Sequence, residues 1–316
     1  MQVRFFMKTF FLASILLSLF YCSGYFNMDN SDEADGDLSL ALADGSGYLS
    51  TDNYNEITPF LYRNPDNGKA YLFFASDRDG NYDIYYAEMD NKGKFSKPTK
   101  MDANINTTND ETSPVVFKAL AFTNTNTYVT FIRIQPPGAG GTFVYTRKID
   151  PFNFTNLSAS ASSLSASSNV GLLNKNSLTP TLLRTTNGND FYQNEWDTIS
   201  GEWQIEPTSR DFNSTLPIYG IDGFYTNFFL ADGFGFIFTT IISGKYRLYG
   251  GFISDEMSTN YAYSVSEYIS SYNDKDPCID LATMKVYFAS DRYGKGNYDL
   301  YRYNILTFDE VMQLPK

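Results

Sequence analysis

The stretch Ala70-Tyr-Leu-Phe-Phe-Ala-Ser-Asp-Arg-Asp-Gly-Asn-Tyr-Asp-Ile-Tyr85 returns near the end of the chain as Lys285-Val-Tyr-Phe-Ala-Ser-Asp-Arg-Tyr-Gly-Lys-Gly-Asn-Tyr-Asp-Leu-Tyr301. Each copy reads strand, polar turn, strand: the aromatic and aliphatic runs suit a pleated surface, and the glycines in between suit the positive φ of a tight reversal. Further strand pairs keep the rhythm. Tyr82 to Asp90 with Gly93 to Pro98 aligns with Asp190 to Asp197 and Gly201 to Pro207. Three more hairpins are Phe143 to Lys148 with Phe152 to Leu157, Tyr246 to Ile253 with Tyr261 to Val265, and Tyr298 to Tyr303 with Glu310 to Leu314. Units open on an acidic residue ahead of proline, at Glu56 before Pro59, Glu111 before Pro114 and Asp276 before Pro277, with Pro180 offset from this series. Units of this size cannot bury both faces of a sheet alone and must stack on one another. The pattern predicts an all-β fold, a β-propeller of four-stranded blades. Five hairpins imply five blades, with six as the alternative if strands lie hidden in Leu38 to Asp52 or Ser158 to Asn176. The serine-rich run Ser158 to Ser168 reads as a surface loop.

Phe-Ala-Ser-Asp-Arg followed by Gly-Asn-Tyr-Asp-Ile-Tyr resembles the repeat of TolB-type β-propellers, bacterial cousins of the WD-repeat blade. The linking phrase Ile105-Asn-Thr-Thr-Asn-Asp-Glu-Thr-Ser-Pro114 is similar to the inter-blade segment of that family. Residues 70 to 88 and 285 to 303 carry the match, which implies a propeller without the additional N-terminal α/β domain of TolB itself.

The N-terminus reads as an address. Arg4 and Lys8 precede the apolar run Thr9 to Tyr21 and the small residues Ser23 and Gly24, the layout of an export signal over residues 1 to 24. Leu19-Phe20-Tyr21-Cys22 resembles a bacterial lipobox, which implies lipidation at Cys22; cleavage after Gly24 to give a periplasmic or secreted soluble chain is the alternative. Residues 25 to 53 are rich in Asp, Ser, Gly and Asn and read as a flexible acidic tether ahead of a propeller domain at 54 to 316.

Composition narrows the chemistry. Lys and Arg number 24 against 36 Asp and Glu, a net charge of -12, which disfavours nucleic acid as a partner. Histidine is absent, so Ser-His-Asp and Cys-His nucleophilic sites and His-ligated metals are excluded. Cys278, beside Pro277, reads as a small apolar filler. Asp77, Asp79, Asn81 and Asp83 alternate like a calcium loop, but the second copy replaces Asp79 by Tyr293 and adds Lys295. Ser76, Asp77, Arg78 and Asp83, with Ser290, Asp291, Arg292 and Asp299, therefore read as a structural motif in which each Arg pairs with a nearby Asp and the other Asp caps turn amides. Trp196 and Trp203 read as residues buried between blades, with stacking on a sugar or anchoring of a protein partner as the alternative.

The preferred functional reading is a non-catalytic envelope propeller, without cofactor or metal, recognising an envelope or extracellular protein or glycan and touching the membrane only through its lipid. The alternative is a propeller glycoside hydrolase or lyase working with carboxylates alone, drawn from Glu56, Asp110, Glu111, Asp222, Asp274 and Asp276, placed ahead of the innermost strands.

Overall fold

The computed structural model describes residues 49 to 304 apart from 52, 137–140, 158–161, 166–168, 174–176, 186–190, 205–207, 211–216, 229–230, 255–259, 265–271, 284 and 293–295. Cys22, the expected signal, nearly all of the expected tether and the strand expected at Glu310 to Leu314 lie outside these residues.

Among the described residues the regular structure is entirely β, in five antiparallel sheets. Sheet 1 is a meander of β1 (Glu56–Arg63), β2 (Ala70–Ser76), β3 (Asp83–Met89) and β4 (Thr99–Lys100). Sheet 2 follows as β5 (Asp110–Ala121), β6 (Asn124–Ile134), β7 (Thr142–Ile149) and β8 (Ser162–Ser165). Sheet 3 comprises β9 (Asn169–Leu173), β10 (Thr181–Thr185), β11 (Phe191–Asp197) and β12 (Glu202–Trp203), with β13 (Thr208–Arg210) also paired to β11. Sheet 4 is β14 (Gly220–Phe228), β15 (Ala231–Ile242), β16 (Lys245–Ser254) and β17 (Asn260–Ser264). Sheet 5 has β18 (Asp274–Asp280), β19 (Lys285–Ser290) and β20 (Asp299–Asn304). First strands meet in sequence: β1 touches β5, β5 touches β9, β9 touches β14, β14 touches β18, and β18 returns to β1.

Two sequence expectations change here. The serine-rich run is not simply a loop, because Ser162 to Ser165 pairs with β7 and Leu164 is buried. An outermost strand needs backbone pairing along one edge and little else, so a stretch without apolar alternation fills the place. Sheet 3 lacks the proline-headed first strand: Pro180 precedes β10, its second strand, which explains the offset of that proline.

The aromatic excess goes into the seams between sheets, where buried rings contribute about 1.5–3 kcal/mol each. Phe154, from the connection between β7 and β8, packs edge-on against Tyr71, Phe73 and Tyr86 of sheet 1. Trp196 and Trp203 are both buried, as expected. The Trp203 indole N–H donates to Thr130 and Thr146 of sheet 2, and that of Trp196 to the Leu120 carbonyl. Cys278 is buried, and its sulfur accepts a hydrogen bond from the Leu61 amide at 3.2 Å.

Candidate functional site

The repeated motif sits where one sheet meets the next. Ser76 Oγ donates to Glu56, and Arg78 donates to both Ser76 Oγ and Glu56 while its guanidinium lies 4.9 Å over Tyr85. Arg292 repeats this with Ser290 and Asp274. Asp77 accepts from the backbone and side-chain amides of Asn55, and Asp291 does the same for Asn273. Asp83 stands opposite Ser76 and pairs with Lys100 at 2.6 Å, and Asp299 stands opposite Ser290. Asp79, the middle member of the calcium-like series, accepts from the Tyr85 hydroxyl and Lys100. The carboxylate for Arg78 is thus Glu56 and not an aspartate of the motif, because the first strand brings it alongside.

Asn81-Tyr82 and Asn297-Tyr298 bind the following unit. Asn81 Nδ2 donates to the Asn109 carbonyl, and Tyr82 accepts from the Glu111 amide. Asn297 Nδ2 donates to the Thr51 and Tyr54 carbonyls, and Tyr298 accepts from the Glu56 amide. The seam from sheet 5 back to sheet 1 therefore uses the same bonds as the seam from sheet 1 to sheet 2.

Three carboxylates at strand heads are taken up by arginines: Glu56 with Arg78, Glu111 with Arg133 and Asp274 with Arg292. They form part of their strands rather than preceding them. Burial pushes Glu56 up from an ordinary value of 4.5 to about 7, despite the opposing pull of the Thr51 amide and the Arg78 charge. Burial also raises Glu111. A carboxyl whose folded value is raised contributes stability fully below its unfolded value, and loses it as pH rises through the folded value. Wild type should therefore lose stability relative to Glu56→Gln between pH 4.5 and about 7. Melting temperatures of the two proteins measured across that window check this; parallel curves would contradict it.

The axis is built two residues further along. In β1, Thr58 and Pro59 stand opposite the single residue Phe74; Ser113 and Pro114 in β5 and Asp276 and Pro277 in β18 form matching bulges. Thr58, Ser113 and Asp276 adopt positive φ of 51°, 51° and 56°. Such backbone is costly for residues other than glycine, and a bulge re-aims the strand at that point. The register corrects the sequence alignment. Asp274, not Asp276, is the equivalent of Glu56 and Glu111, while Asp276 occupies the place of Thr58 and Ser113.

These three residues, with Gly171 of β9 and Asp222 of β14, line a cavity of about 20 Å³ where all five first strands meet. That is room for about one water. Gly171 is required by proximity: a Cβ there would stand 2.3 Å from the Ile221 carbonyl oxygen, prising β9 from β14. Asp222 Oδ2 accepts from the Ile279 amide of β18 at 2.8 Å, and the Asp276 amide donates to Thr239 Oγ1 of β15. Lys275 Nζ lies 3.4 Å from Asp276 Oδ2. Two adjacent sheets thus place carboxylates on the axis and the other three place Thr, Ser and Gly. Sequence reasoning named both aspartates but not their separation from the other four acids.

No protein-family model and no curated protein matches the sequence. Solved structures do. An endo-arabinase from Bacteroides thetaiotaomicron superposes with a TM-score of 0.58 at 11% identity, covering 83% of this chain and 98% of that one. A GH43 endo-arabinanase from Bacillus licheniformis gives 0.56 at 10% identity over 80% and 94%. An α-L-arabinofuranosidase from Lactobacillus brevis gives 0.53 at 10% over 83% and 94%. The fold is a β-propeller. The TolB-type resemblance is overturned, since these neighbours are arabinan-degrading propellers and not TolB-type ones. The reason is physical. The Ser-Asp-Arg and Asn-Tyr-Asp phrases serve blade junctions, a requirement any propeller shares, so they report architecture more than family.

Proposed function

We propose that the chain is a five-bladed propeller glycoside hydrolase acting on arabinose-containing polysaccharide. One observation carries the reading: Asp222 and Asp276, alone among the described residues of the axial layer in bearing carboxylates, flank a water-sized cavity. Glycoside hydrolysis needs two such groups, one to protonate the leaving oxygen and one to activate water or attack the sugar. The acids that recur from blade to blade are engaged by arginines, whereas this pair does not recur, as expected of a single site. The likeness to arabinanase and arabinofuranosidase propellers supports the choice of substrate. Incubation of the purified chain with linear and branched arabinan and with an aryl arabinofuranoside should release arabinose or short arabino-oligosaccharides. Absence of release from all three would overturn the reading.

A non-catalytic propeller is the second reading, favoured by the size of the cavity, which admits water but no sugar ring. Saturable binding of arabino-oligosaccharides without turnover would select it.

A further inference from the structure

Far from the axis, a groove of about 560 Å³ runs along the seam between the fifth and first sheets, at the end of β1 opposite Glu56. Among the described residues its walls share none with the axial cavity. The volume falls within the range of about 300–1,000 Å³ typical of small-molecule sites. Its charge reverses that of the chain. Arg63, Lys69, Lys92, Lys285 and Arg302 line it against the acids Glu88 and Asp90; Lys69 pairs with Glu88 and Arg63 with Asp280, and the positive surplus survives counting all three acids. The whole protein carries -12.

The groove is built. Arg302 reaches from β20 across the seam and donates through Nη1 to the Gly93 carbonyl at 2.7 Å. Gly93 has φ of 78°, and a Cβ there would stand 3.0 Å from that same nitrogen, so the turn keeps a glycine where the guanidinium lies. Glu88, Asp90, Asn91 and Thr283 add acceptors and donors among the cations. Cations alone would suit any anion; cations interleaved with carboxylates, an amide and a hydroxyl suit an anion that also bears hydroxyl groups.

We propose that this groove binds acidic oligosaccharides, with uronate carboxylates facing the basic side chains and sugar hydroxyls facing Glu88, Asp90, Asn91 and Thr283. It goes beyond the axial hydrolase reading, as a second site of different chemistry. Calorimetric titration of the full chain with trigalacturonate tests it, with arabinotriose as the neutral probe. Saturable trigalacturonate binding is expected, weakening at least about tenfold in the Lys69→Glu, Lys92→Glu double variant and falling steeply as salt shortens the screening length. Both lysines are exposed, so the variant should fold, and the salt series on wild type tests the proposal even where it does not. No trigalacturonate binding, equal binding of both probes, or affinity unmoved by charge reversal and salt would overturn it. So would partition onto phosphatidylglycerol vesicles without trigalacturonate binding. Asp276→Asn should leave this affinity unchanged, so the groove and the hydrolase reading fail separately.

Discussion

Asp276→Asn and Asp222→Asn are each expected to reduce arabinan turnover by about 10²–10⁴-fold, the usual contribution of a positioned general acid or base. Asparagine keeps the shape and an acceptor oxygen, so the Asp222 bond from the Ile279 amide survives and the fold should persist. Groups that act as a unit lose their effects non-additively, so the double variant should fall little below the worse single one. The measurement is kcat/KM on arabinan beside a melting curve. Activity of either variant within about threefold of wild type, a change below 1 kcal/mol in barrier, would remove that residue from the chemistry.

Asp274→Ala should destabilise the chain by about 3–5 kcal/mol, the cost of leaving a buried charge without its partner. Asp274 is fully buried and the Arg292 side chain is 5% exposed, held between Ser290 Oγ, Phe288 and Tyr301. By comparison, Glu88→Ala removes its ion pair with Lys69, whose side chains are 41% and 52% exposed, and should cost far less, since solvent screens such a pair. Chemical denaturation of both variants gives the comparison directly. Equal losses would mean that the strand-head pairs do not hold the blades.

Much of the fold was legible because a propeller repeats its own instructions. Ala70 to Tyr85 and Lys285 to Tyr301 announced the strand-turn-strand unit, and their Asn-Tyr pairs turned out to bind the next unit at both seams. The tryptophans read correctly as seam residues, since large rings are cheapest to bury where two sheets face each other. Degenerate units were harder. The third sheet carries no proline at the head of its first strand, and β8 carries no apolar alternation, so period alone misplaced both.

The site divides along the same line. Sequence by itself pointed to carboxylates as the groups on which catalysis would rest, because a chain without histidine lacks the one side chain whose ordinary titration falls near neutral pH. It also supplied the six acids from which the pair would come. Only tertiary structure decided which of them face the axis: Asp274 stands ahead of a two-against-one bulge and is gripped by Arg292, whereas Asp276, two residues on, lies within the bulge and lines the axial cavity. The basic groove was invisible for a related reason. Arg63, Lys69, Lys92, Lys285 and Arg302 are scattered along an acidic chain, and the return of the fifth sheet to the first brings them to the walls of one groove.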